Sequence, residues 1–173
     1  MEIERKFLLR KPVENLGKYK SIHIEQAYIC TNPVIRIRSK RAIQSAEEKY
    51  VLTVKSSGML ARQEFELPLD RNAYYNLQNK AEGNVISKTR YLIPLTDIDS
   101  CGDSSLTLEL DIFEGLFDGL CMGEIEFADE ESAKKYNPPE DLFREVTYDT
   151  NFHNSTMSAM SHEDIKKLLT SYN

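Results

Sequence analysis

Apolar and polar residues alternate with a period of two through about eight short stretches of the chain. In Glu2-Ile3-Glu4-Arg5-Lys6-Phe7, one face takes Glu2, Glu4 and Lys6. Around 22–29, Gln26 and Tyr28 share a face; further on, Arg36 and Arg38 alternate with Ile35 and Ile37. Thr53 and Lys55 oppose Leu52 and Val54, while Arg62, Glu64 and Glu66 oppose Gln63, Phe65 and Leu67. Lys88 and Arg90 mark a stretch near 85–93. Thr107, Glu109 and Asp111 then oppose Leu108, Leu110 and Ile112, and Glu124 and Glu126 oppose Ile125 and Phe127. Side chains two apart on a strand point the same way, so this period predicts strands, and their number suits an antiparallel barrel or sandwich. Helical signals fall between and after them. Asp70 caps a helix through Tyr74 and Leu77 toward Gly83, and Asp129 to Tyr136 reads as a short helix stopped by Pro138-Pro139. Ser161, with Asp164 three residues on, opens a C-terminal helix at about 161–172. The stretch 137–160 has no clear period. The fold class expected is α+β, mainly antiparallel β.

Composition narrows the picture only a little. The chain has 173 residues, of which 40% are hydrophobic and 29% charged, the mixture of one globular domain spanning 1–173. Twenty-two Lys and Arg face 28 Asp and Glu, a net charge of −6, which argues against broad attachment to nucleic acid or an anionic membrane. No 18-residue apolar run predicts a membrane span, and the first residues have no signal-peptide core. Cys30, Cys101 and Cys121 are scattered, which suits the reducing cytosol better than a disulfide framework or a zinc site.

Charge placement is more informative than charge total. Like charges recur two apart in Glu2/Glu4, Arg36/Arg38, Glu64/Glu66, Lys88/Arg90, Glu109/Asp111 and Glu124/Glu126. Each pair concentrates one sign on one strand face, which destabilises a sheet unless something compensates. With Lys6, Lys55 and Arg62, these faces hold seven cations and eight carboxylates. A solvated face laced with weak salt bridges accounts for one such pair. Six together point to faces turned inward around a polar cavity, the apolar faces packing outward against helices. An eight-stranded barrel has room for one small ligand. Converging Lys and Arg call for a polyanion, a polyphosphate longer than pyrophosphate, and clustered carboxylates without Cys or His suit Mg²⁺ or Mn²⁺.

The pattern resembles the CYTH family, also called triphosphate tunnel metalloenzymes. Glu2-x-Glu4-x-Lys6 matches its ExExK signature at the start of the chain. Gln26-x-Tyr28, Arg36-x-Arg38, Thr53-x-Lys55, Arg62-x-Glu64-x-Glu66, Lys88-x-Arg90, Glu109-x-Asp111, Glu124-x-Glu126 and Glu145-Val146-Thr147-x-Asp149 follow in order. The resemblance implies an eight-stranded closed tunnel barrel with a charged interior and helices outside. It also implies a metal-dependent triphosphatase, with homodimers known in the family. By position, Lys6, Arg36, Arg38, Lys55, Arg62, Lys88 and Arg90 grip the triphosphate, and Glu2, Glu4, Asp111, Glu124 and Glu126 hold one or two metals. Glu64, Glu66 and Glu109 support them. Lys6, or Lys55 with Tyr28, are the catalytic candidates for activating water.

The C-terminal motif departs from the family. Asp149-Thr150-Asn151-Phe152-His153-Asn154 carries Asn151 and His153 where small bacterial relatives often have basic residues. The activity expected is hydrolysis of inorganic triphosphate or a related triphosphate substrate. The alternatives are a class IV-type adenylate cyclase, a thiamine or nucleoside triphosphatase, and a non-catalytic polyphosphate-binding module.

Overall fold

The computed structural model describes residues 2–45, 47–56, 61–100 and 102–172, with Ala61 and Arg62 described in their backbone alone. The sequence-expected Arg62 side chain and Cys101 therefore lie outside the described residues. Ten strands build one antiparallel sheet: β1 (Glu2–Leu9), β2 (Lys20–Thr31), β3 (Val34–Ala42), β4 (Glu48–Lys55), β5 (Ala61–Arg62), β6 (Glu64–Leu69), β7 (Glu82–Pro94), β8 (Thr107–Glu114), β9 (Cys121–Glu126) and β10 (Phe143–Glu145). Four helices accompany it: α1 (Arg71–Gln78), α2 (Glu130–Lys135), α3 (Asn154–Ser158) and α4 (His162–Tyr172).

The strand order is β10-β1-β9-β8-β7-β2-β3-β4-β6. This corrects the expectation of eight strands in a closed barrel: among the described residues nine strands form an open path, in which β6 does not itself pair with β1. The short β5 reaches across, setting Glu2 opposite Arg62 and Ile3 opposite Ala61. Only Gln63 separates it from β6. The break at Gln63 divides what the alternation reads as one strand. Pro68 fits the end position of β6, whose second edge pairs with no strand among the described residues.

The helix signals hold at their starts. The Asp70 side chain accepts from the Ala73 amide, and Asp129 from the Ser132 amide. Ser161 accepts from the Asp164 amide and donates to its carboxylate at 2.6 Å. Apolar outer faces pack as expected. Tyr74 of α1 is buried with Ala27 and Ile37, and Ala133 of α2 lies with Ile3, Phe7, Leu108 and Ile125. Arg5 pins α2 to the sheet by donating to the carbonyls of Ala133 and Tyr136 and pairing with Glu145 at 2.5 Å.

α3 and β10 arise in the stretch the pattern left blank. α3 lies close against β7, where Gly83 has φ +76 and a Cβ would meet the Ser158 carbonyl oxygen at 2.3 Å. Gly119 has φ +92 with nothing within 4 Å, so it isolates backbone strain from contact. Gly83→Ala should therefore cost about 2 kcal/mol or more in denaturant unfolding, and clearly more than Gly119→Ala. Equal losses would remove the α3 contact from the explanation.

Candidate functional site

The inward positions of the sheet form three layers, and parity alone places them. At one end they are apolar. Leu8 of β1, Tyr28 of β2, Ile86 of β7, Phe113 of β8 and Met122 of β9 are all buried, and they pack with Met157 of α3 and with Ile165 and Leu168 of α4. This floor continues the same faces that carry Lys6, Gln26, Lys88, Asp111 and Glu124 one step further along. Alternation alone predicts apolar residues on the outer faces; here they also close one end of the interior.

Above the floor lies an ionic layer. Lys6 Nζ binds Glu124 and, at 2.9 Å, Glu4. Lys88 Nζ donates to Asp111 at 2.5 Å while lying 5.3 Å from the Phe113 ring centre. Arg90 grips Asp111 through Nε and Nη2 at 2.6 Å, reaches Glu124 at 2.5 Å and binds Glu109 through Nη1. Across the interior, Lys55 bridges Glu2 at 2.5 Å and Glu64 at 2.6 Å. Arg38 binds Glu66, and Arg36 comes only within 3.7 Å of Glu64. The Nε atoms of Arg36 and Arg38 are buried without a hydrogen-bond partner among the described residues. A buried guanidinium with donors to spare is an anion site in waiting.

The third layer is the mouth. Side-chain exposure climbs from Glu64 at 16% to Glu66 at 42%, and from Asp111 at 0% to Glu109 at 35%. Glu124 is buried and Glu126, two residues on, is exposed. Strands of opposite direction agree, so the interior opens toward Glu66, Glu109 and Glu126 and closes toward Tyr28.

One cavity of about 70 Å³ gathers the expected residues. It is lined by six cations (Lys6, Arg36, Arg38, Lys55, Lys88 and Arg90) and five carboxylates (Glu2, Glu4, Glu109, Glu124 and Glu126). Asp111, Glu64 and Glu66 stand behind these cations as their partners. His153, Asn154 and Ser155, at the start of α3, complete the wall. His153 and Asn154 belong to the C-terminal motif legible in the sequence, whereas Ser155 has no charge to signal it. Among the described residues, Tyr28 is the one aromatic residue lining the cavity, and it belongs to the floor. Tyr28 and Lys55 do not pair. Gln26 donates to the Tyr28 hydroxyl at 3.3 Å, while Lys55 is held by its two glutamates.

The charges shift one another strongly. Burial works against the Lys6 ammonium, but Glu124 and then Glu4 outweigh it and hold the pKa above the ordinary lysine value. Burial, then the neighbouring Glu4 charge, pushes the Glu2 carboxyl up to about 7. Burial, then Arg36, brings Arg38 down to about 10. Glu2 and Glu4 thus crowd negative charge that a hard cation relieves, and their oxygen donors fit Mg²⁺ or Mn²⁺. Among the described residues, no three of His, Cys, Asp and Glu already stand at metal-holding separation. Asp111 and Glu124, read from sequence as metal ligands, have their oxygens engaged by Lys6, Lys88 and Arg90.

A curved antiparallel sheet around a blind cavity of alternating cations and carboxylates defines a binder of small polyanions. The chain belongs to the CYTH family: the CYTH domain model matches residues 1–159. It is 34% identical over 157 residues to an inorganic triphosphatase of Nitrosomonas europaea, covering 91% of this chain and 96% of that protein. An inorganic triphosphatase of Acetivibrio thermocellus is 29% identical over 169 residues, covering 96% and 98%. Among solved structures, a crystal structure of an inorganic triphosphatase superposes with a TM-score of 0.64 at 30% identity over 93% of this chain and 96% of that one. A putative adenylyl cyclase from Hippeastrum shares the fold with a TM-score of 0.54 at 18% identity, over 78% of this chain and 83% of that one.

Proposed function

We propose that this chain hydrolyses inorganic triphosphate to pyrophosphate and phosphate with the help of Mg²⁺ or Mn²⁺. The observation that carries this is a narrow cavity lined by six cations, two of them arginines whose buried Nε atoms have no hydrogen-bond partner among the described residues. Triphosphate oxygens supply what those donors lack. The two relatives named inorganic triphosphatase support the same reading. An adenylate cyclase needs a purine site, and among the described residues this cavity's only aromatic side chain is Tyr28, down in the floor.

In this reading Lys6, Arg36, Arg38, Lys55, Lys88 and Arg90 exchange carboxylate partners for phosphate oxygens, with Arg62 joining from β5. That strand pairs with β1 next to β6 and so adds to the cavity wall on that side. Glu2, Glu4 and Glu126 are the carboxylates best placed to hold the metal, which when bound supplies charge neutralisation on the phosphate oxygens. Glu64, Glu66 and Glu109 aim the basic side chains. Lys6, kept protonated by its two glutamates, acts as a cation and not as a base. Phosphoryl transfer asks mainly for positioning and charge stabilisation, and this lining supplies both.

Incubation with triphosphate, ATP or thiamine triphosphate in Mg²⁺ or Mn²⁺, following phosphate, pyrophosphate and cyclic AMP, tests the reading. Triphosphate should be cleaved fastest, and cyclic AMP forming faster than triphosphate disappears would overturn it. Arg38→Ala should raise KM for triphosphate about tenfold, the worth of one charge-assisted contact. An unchanged KM would remove Arg38 from the phosphate contacts.

A further inference from the structure

β3 carries a third inward cation. Lys40 follows Arg36 and Arg38 at the same two-residue interval, extending their line by about 7 Å toward the open mouth. Its strand neighbours offer it nothing to bind. Ile24, buried and lining the cavity, stands opposite it on β2, and Lys49 stands opposite it on β4. Lysines directly opposed across a ladder repel. Lys49 is exposed and leans to Glu47 at 3.7 Å. Lys40 is half-buried and makes no ion pair among the described residues, unlike Lys6, Lys55 and Lys88. Burial, then Arg38, holds its pKa below the ordinary lysine value, with Arg36 and Arg90 adding to this and Glu66 opposing.

We propose that Lys40 forms an outer subsite at the mouth that takes the fourth phosphate of a linear inorganic polyphosphate. The proposal rests on the triphosphatase reading and extends it to a longer substrate. A triphosphate seated on Arg36 and Arg38 ends before Lys40, whereas a fourth phosphate along the same line meets it. The reaction is ordinary hydrolysis. Water oxygen bonds to the terminal phosphorus, the bridging P–O bond breaks, and tetraphosphate plus water becomes triphosphate plus phosphate, the water's proton ending on the products. Because the floor is closed, added length projects outward, past Lys40. The neighbouring Glu66 binds Arg38 through one carboxylate oxygen and makes no ion pair with Lys40 among the described residues.

The test compares kcat/KM for tetraphosphate and triphosphate in Mg²⁺ across the unchanged protein, Lys40→Gln, Lys40→Thr and Lys40→Arg. The tetraphosphate-to-triphosphate ratio should fall about tenfold in the first two variants and stay near its starting value in Lys40→Arg. Calorimetric binding of tetraphosphate without metal should weaken by a similar factor in Lys40→Gln at unchanged Tm. A ratio that does not move in either neutral variant, or a loss shared equally by both substrates, overturns the subsite. Unchanged protein that cleaves neither substrate overturns the triphosphatase reading instead, so the two failures are told apart.

Discussion

Asp111→Ala is expected to lower the unfolding free energy by about 3–5 kcal/mol, with Tm falling by about 10 °C, in calorimetry or urea titration. The reason is how completely Asp111 is committed. It is 0% exposed, and it is the carboxylate that pairs with Lys88, itself 2% exposed. Arg90 keeps Glu109 and Glu124 when Asp111 is removed, whereas Lys88 keeps none among the described residues. A buried ammonium is then left against the Phe113 ring. Adding Lys88→Met to Asp111→Ala should restore much of the loss, because replacing a buried pair by apolar groups is far cheaper than halving it. A loss under about 1 kcal/mol in Asp111→Ala would show that water reaches Lys88 and that the ionic layer is wetter than its burial indicates.

Glu4→Ala is expected to act the other way, sparing the fold and removing the activity. Lys6 retains Glu124 when Glu4 goes, so no buried cation is stranded. Turnover of triphosphate should fall on the order of 100- to 1000-fold, with Mg²⁺ binding by calorimetry weakened in parallel. The same substitution removes the charge that helps to push the Glu2 carboxyl up to about 7. Glu2 should then titrate nearer its ordinary value, visible by NMR of the glutamate side chain. Full activity in Glu4→Ala with native Tm would refute the placement of the metal at the Glu2–Glu4 pair.

Much of the site is legible in the chain because strand parity is a strict geometric rule. Arg36 and Arg38, or Lys88 and Arg90, cannot lie two apart on a strand and face different ways. What parity does not reveal is where an inward face changes character. Leu8, Ile86, Phe113 and Met122 continue the charged faces yet belong to the floor, which only the packing of α3 and α4 reveals. α3 itself leaves little trace, having five residues and no side-chain cap at its N-terminus. β10 is three residues long and exists because β1 has a free edge to pair with. Lys40 was readable by the same parity as Arg36 and Arg38, but Ser39 and Arg41 beside it blur the apolar half of the alternation.

The floor built from Leu8, Tyr28, Ile86, Phe113 and Met122 makes the cavity a sleeve sewn shut at one end. If the proposed reaction takes place here, a chain of phosphates would enter such a sleeve from the mouth and leave by the same way. The fragment nearer the mouth would then depart before the fragment beneath it, an order set by grease and not by charge.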